Sequence, residues 1–216
     1  MRIRAAVTLA ALTALLTPAA HAAPDEDIHL PVRDALAALT VADESRDGYE
    51  RDKFRHWIDA DRDGCSTRNE VLLEEAVTDP ARSGRCTLTG GQWYSPYDDR
   101  YVDGPRALDI DHLVPLAESW DSGASAWTAA EREAYANDLG DRRALIAVTA
   151  ASNRSKADQD PSTWLPTAAG YRCQYATDWV AVKTRWGLAV DPAEAAALTR
   201  TLGECPNVPV EVELAR

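Results

Sequence analysis

Asp109-Ile110-Asp111-His112 sets two carboxylates and an imidazole side by side, and Asn153-Arg154-Ser155-Lys156 adds an amide and an ammonium further along the chain. Carboxylates are hard oxygen donors suited to Mg²⁺ or Mn²⁺. A neutral imidazole can take a proton from water near pH 7. Phosphodiester hydrolysis needs both: a base for the attacking water, and a cation for the charge that builds on the phosphate and the leaving oxygen. In that chemistry His112 is the base, Asp111 and Asn153 are oxygen ligands, and Lys156 is a charge for a phosphate oxygen. Asp109 is either a further ligand or a solvated edge residue. Arg154, Arg143 and Arg100, with Arg106 and Arg142, are the candidate phosphate contacts near the motif.

These residues need elements to hold them. Ala107–His112 reads as a short strand, in which Asp109 and Asp111 share one face and His112 stands at the end. Thr128-Ala-Ala-Glu131 is a capping box that starts an inserted helix, which stops at Gly140. Leu145–Thr149 is apolar and β-branched, the signature of a buried strand. Ala150–Lys156 favours helix, and Asn153 and Lys156, three apart, share one of its faces. Pro161 blocks its extension.

Around this region the pattern predicts helices over Val32–Ala42, Tyr49–Ile58 and Arg68–Val77, after a loose lead-in from Pro24 to Leu30. Thr87–Pro105 is rich in Gly, Pro, Asp and Tyr and reads as loop, from which Trp93 and Tyr94 could stack on a base. An amphipathic helix is expected over Gln174–Trp186, closed by Gly187. A second capping box, Asp191-Pro-Ala-Glu194, opens an Ala-rich helix to Gly203. The fold class expected is α+β: a mainly helical single domain, residues 23–216, stapled by disulfides.

Asp-x-Asp-His-x-x-Pro, an apolar strand and Asn-x-x-Lys, in that order, resemble the HNH or His-Me finger endonucleases. Within them the chain is most similar to the secreted actinobacterial HNH endonuclease family, the domain of unknown function 1524 type. That resemblance runs through Gly90–Tyr97, Asp109–Leu116, Leu145–Pro161 and Tyr171–Gly187. It implies a ββα-metal core over residues 105–161, with His112 as general base and Asp111 and Asn153 holding one Mg²⁺ or Mn²⁺. The implied products carry 5′-phosphate and 3′-hydroxyl ends. The middle Asn of the family name, which steadies the base, falls at Ala144 here, so a backbone carbonyl or Asn137 must orient His112 instead.

A second metal pattern lies upstream. Asp59, Asp61, Asp63, Gly64 and Glu70 match the spacing of an EF-hand calcium loop, expected to be flanked by helix on both sides. The competing reading is an Asx-rich turn without an ion, stapled by Cys65.

Arg2 and Arg4, an apolar run from Ala5 to Ala20 and the small-x-small site Ala20-His21-Ala22 read as a secretory leader over residues 1–22. The chain is therefore expected outside the cell, free of the membrane and monomeric. In an exported chain four cysteines favour disulfides over zinc, whose paired spacing is absent. Of three pairings, Cys65–Cys86 and Cys173–Cys205 bracket the motif region from either side and are favoured. The formal net charge is −12, and loss of the two leader arginines makes it more negative. Such a chain is expected to bind its nucleic-acid substrate weakly, with strong salt dependence and little sequence preference. Two other classes stay open: a calcium-stabilised binding module on a degenerate nuclease fold, and a phosphodiesterase for small substrates.

Overall fold

A computed structural model describes residues 27–216; the expected leader lies outside the described residues. The chain opens with strand β1 (Ile28–Pro31) and helix α1 (Val32–Ala38). Helix α2 (Thr67–Glu74) leads into β2 (Ala76–Thr78), β3 (Ala81–Ser83), β4 (Thr87–Thr89), β5 (Gln92–Ser95) and β6 (Arg100–Asp103). The motif region follows as β7 (Leu108–His112), α3 (Leu116–Asp121), α4 (Ala129–Ala136), β8 (Leu145–Thr149) and α5 (Ala150–Lys156). The chain closes with α6 (Arg172–Trp186), α7 (Pro192–Gly203) and β9 (Pro209–Val212). No described helix is long and apolar enough to cross a membrane.

β7 and β8 form an antiparallel pair in which Asp111 faces Ile146 and His112 faces Leu145. α5 leaves β8 without a loop and packs on both strands. The Thr149 hydroxyl accepts the Ser152 N–H at 3.2 Å and caps its first turn. The capping boxes at Thr128 and Asp191 both form. Gly187, at φ 61°, takes the left-handed position that ends α6. Both expected disulfides are present, Cys65–Cys86 and Cys173–Cys205.

Several expectations need correction. The domain is mixed rather than mainly helical, with nine short strands in four small sheets among the described residues. The described part of the lead-in is not loose: Ile28–Pro31 pairs with Pro209–Val212. Thr87–Pro105 is largely strand, since β5 alternates with Trp93 and Ser95 inward and pairs with both β2 and β6. Turn residues at Gly90, Gly91 and Pro96 hide this period-two signal in a window of loop composition. Trp93 is wholly buried, and its indole N–H donates to the Leu72 carbonyl, so it is core and not a stacking platform.

Tyr49–Ile58 is not an α-helix. It holds one 3₁₀ turn at Arg51–Lys53 in an otherwise irregular strap, residues 46–58. The strap's backbone polar groups are met by side chains elsewhere: the Trp120 indole donates to the Asp47 carbonyl, and the Asn137 amide donates to the Arg55 carbonyl and accepts from the Ile58 N–H. α6 is not one-sided either. It is buried from Tyr175 through Lys183, because α1, α7 and β9 surround it. Its Lys183 is satisfied there by Glu118, Glu194, the Ser122 hydroxyl and the Ala189 carbonyl.

Candidate active site

β7 ends beneath a cavity of about 460 Å³ lined by Ile110, Asp111 and His112 from the strand, Asn153 and Arg154 from α5, and Tyr49 and Arg51 from the strap. The β7–β8 pair and α5 thus bring the expected base and the two expected ligand residues to one place.

His112 is buried. Its Nε2 lies 2.9 Å from the Ala136 carbonyl. A carbonyl can only accept, so Nε2 carries the proton and the neutral ring keeps its lone pair on Nδ1. Ala136 ends α4, where the last carbonyls have no intrahelical N–H to meet. The orienting group expected for His112 is thus a backbone carbonyl, supplied by the inserted helix. Ala144 plays another part: its carbonyl accepts the Leu113 N–H at 3.0 Å. Asn137, the other proposed orienter, is spent on the strap and on Thr67. Trp57 stacks on His112 with ring centroids 5.2 Å apart. Burial pushes the imidazole pKa down to about 3, with Arg51, His56 and Lys156 adding to the shift. The ring is neutral, and so able to accept a proton, throughout the physiological range.

Asp111 is also buried, and its carboxylate is locked from below. Tyr97 donates its hydroxyl to Oδ2 at 2.7 Å. The Lys156 ammonium lies 2.8 Å from Oδ2 and 3.0 Å from Oδ1, and donates to the His112 carbonyl at 3.0 Å. Lys156 is 0% exposed. The expectation that it meets a substrate phosphate is therefore corrected: it faces inward from α5, where a side chain three residues from Asn153 reaches the floor rather than the cavity. Burial pushes the Asp111 carboxyl up and the Lys156 ammonium down, each opposed by its partner.

Asn153 donates its amide N–H to Asp109 Oδ2 at 3.3 Å, and its amide oxygen meets no partner among the described residues. Asp111 keeps acceptor capacity on Oδ1 beyond its one lysine contact. Both residues line the cavity, and their oxygens are hard donors, a set that fits Mg²⁺ or Mn²⁺ better than a thiophilic ion. Asp109 does not line the cavity; it holds Asn153, with Arg154 Nε 3.9 Å away.

The remaining phosphate candidates separate. Arg154 lines the cavity. Arg143 is turned away, its guanidinium paired with Asp141 at 2.5 Å, and with Arg142 it lines a different cavity of about 710 Å³. Arg100 sits exposed on β6, opposite Ser95 and off the cavity wall. The sequence reading missed Tyr49, Arg51 and Trp57. No local spacing marks them, since the strap reaches the site only through tertiary packing.

The upstream loop gathers its three aspartates, while Glu70 is not among the carboxylates that converge. Asp59, Asp61 and Asp63 each place a carboxylate oxygen within 4.8 Å of the others. The Gly64 N–H donates to Asp59 and the Asp63 N–H to Asp61. Gly64 sits at φ 96°, a backbone conformation that favours glycine. Burial pushes the Glu70 carboxyl up, as do the three facing aspartates. Helix follows the loop as α2, but none precedes it.

A relative from the fungus Arthroderma benhamiae, an uncharacterised secreted protein, is 41% identical over 202 residues, 91% of this chain and 96% of its own. Like it, the chain is secreted. No solved structure matches. A family model matches residues 66–201, which include every motif residue from Asp109 to Lys156. The chain belongs to that nuclease family, the GmrSD restriction endonucleases, C-terminal domain.

Proposed function

We propose that the chain is a secreted, metal-dependent endonuclease of the ββα-metal, or HNH, type, hydrolysing phosphodiester bonds of DNA or RNA. One observation carries this reading: His112 Nε2 is committed to the Ala136 carbonyl, which leaves Nδ1 as the free base in the cavity that Asp111 and Asn153 also line. Asp111 and Asn153 would hold one Mg²⁺ or Mn²⁺ through oxygen. When bound, that ion supplies charge neutralisation at the phosphate and the leaving 3′ oxygen. The chain's own groups do the rest. His112 takes the proton of the attacking water, leaving 5′-phosphate and 3′-hydroxyl ends. Tyr97 and Lys156 hold the Asp111 carboxylate in one orientation, and Asp109 does the same for the Asn153 amide. Arg154 offers a cation to the bound strand.

The chain's acidity predicts weak, sequence-poor binding that falls steeply with salt. Plasmid DNA and a structured RNA, incubated over a panel of divalent metals, test the reaction. Cleavage with Mg²⁺ or Mn²⁺ that stops on chelation is the expected result. Cleavage undiminished by exhaustive chelation overturns metal dependence. Hydrolysis of small phosphodiesters without any cut in either polymer overturns the endonuclease.

The Asp59–Glu70 loop is proposed as a separate, structural Ca²⁺ site that ties α2 to the strap. Asp59→Ala should lower the melting temperature by several degrees in millimolar Ca²⁺ and have little effect in chelator. A shift of equal size in both conditions identifies an ion-free turn.

A further inference from the structure

Arg46, Arg51, Lys53 and Arg55 crowd into the strap that precedes the family-matched residues. Three of the four are engaged. Arg46 lies 2.6 Å from both Asp121 and Asp158, Lys53 lies 3.6 Å from Glu50, and Arg55 lies 3.2 Å from Glu133. Arg51 has no carboxylate within ion-pair distance among the described residues, and it is exposed. It is also the one cation of the four on the wall of the site cavity, where it joins Asp111, His112, Asn153 and Arg154. What sets Arg51 apart from the chain's other arginines without a carboxylate is its place on the wall of this cavity. A guanidinium there is shaped to take a phosphate through two parallel N–H bonds.

The strap is held, not draped. The Trp120 indole fixes the Asp47 carbonyl at 3.1 Å, and Lys53 closes onto the Gly48 carbonyl at 2.6 Å. Phe54 is fully buried directly after the 3₁₀ turn that Arg51 begins. Asn137, which caps α4, grips Arg55 and Ile58. Between these pins Trp57 takes a left-handed backbone, φ 61°, and lies over His112. A non-glycine residue persists there only where its surroundings impose it. The same pins that place Trp57 on the base therefore set the backbone at Arg51 beside the cavity it lines. Prior placement lowers the entropy cost of gripping a ligand.

We propose that Arg51 is a substrate-binding residue of this site, gripping a backbone phosphate of the nucleic-acid strand beside the scissile one. The strap is then a working wall of the site, added from outside the stretch that the family match covers. This inference rests on the nuclease reading above, and its test separates the two.

The experiment uses the full secreted chain. Binding of a fluorescent oligonucleotide is followed by anisotropy in chelator at several salt concentrations, and cleavage of the same oligonucleotide is followed with Mn²⁺. Arg51→Ala should weaken binding and raise KM about ten-fold, with kcat changed less than about three-fold. The slope of log affinity against log salt should fall by about one, the signature of one lost phosphate contact. Arg51→Lys should restore the salt slope and part of the affinity. Hydrolysis of a p-nitrophenyl phosphodiester, which carries no neighbouring phosphate, should fall less in Arg51→Ala than oligonucleotide cleavage does. Unchanged affinity and unchanged salt slope in Arg51→Ala overturn the inference. So does a loss of kcat/KM on the small ester equal to that on the oligonucleotide, since that marks damage to the reaction centre. A His112→Gln variant that cleaves at the wild-type rate sinks the nuclease mechanism instead, and the anisotropy result then judges Arg51 alone.

Discussion

His112→Ala should lower the cleavage rate by about 10³-fold while the protein stays folded, the loss typical of removing a positioned general base. His112→Gln is the sharper variant. Its amide N–H can still donate to the Ala136 carbonyl, and its bulk still fills the space beneath Trp57, yet it offers no basic nitrogen. If the imidazole serves only as packing, His112→Gln keeps its activity and the base assignment fails. A stability measurement gives an independent check. Burial holds the folded imidazole near pKa 3, against about 6.5 in the unfolded chain. Below pH 6.5 the unfolded chain takes up a proton that the folded chain refuses, so stability falls as pH drops from about 6.5 toward 3. His112→Gln should remove that share of the acid sensitivity. Urea midpoints at pH 7 and pH 4.5 should lie closer together in the variant than in the parent. Midpoints that separate equally in both would mean the ring is already charged in the folded protein.

The site was legible in the sequence wherever chemistry and local structure coincide. Asp111, His112 and Asn153 sit on a strand and a helix that alternation and capping both mark, and the structure gathers them in one cavity. Thr128 predicted α4, but nothing local said that its final carbonyl would meet His112, since that contact spans 24 residues and depends on how α3 turns the chain back. Lys156 was misread because spacing gives a helical face, not which side of the helix is core. The strap was misread for a related reason. Its backbone polar groups are satisfied by Trp120 and Asn137, far away in sequence, so local propensity favoured a helix that tertiary bonds forbid. Thr87–Pro105 failed differently: its strands are three or four residues long, too short for alternation to outweigh the turn residues between them.

Lys156→Met should cost about 3–5 kcal/mol of stability, because it leaves the Asp111 carboxylate buried without its cation. At about 2–4 °C per kcal/mol for a domain of this size, the melting temperature should fall by roughly 10 °C. Cleavage should be lost as well, even well below the transition, because without the ammonium the carboxyl is pushed further up and becomes a poor ligand when protonated. The sign of the pH dependence follows. A carboxyl whose folded pKa lies above its unfolded value binds protons more tightly when folded, so its cost is greatest at high pH and fades as pH falls through the raised value. The deficit of Lys156→Met should therefore narrow on acidification. Lys183→Met is the matched control. It strips an equally buried ammonium from Glu118 and Glu194, neither of which lines the cavity, so it should lose comparable stability yet still cleave in the cold. A Lys156→Met, Asp111→Leu pair should recover stability, since replacing both buried charges removes the desolvation cost, but not activity. Recovery of cleavage in that pair would mean that neither group belongs to the reaction. Recovery of stability alone would mean that the chain keeps a costly buried ion pair because Asp111 must stay charged and fixed beneath the cavity.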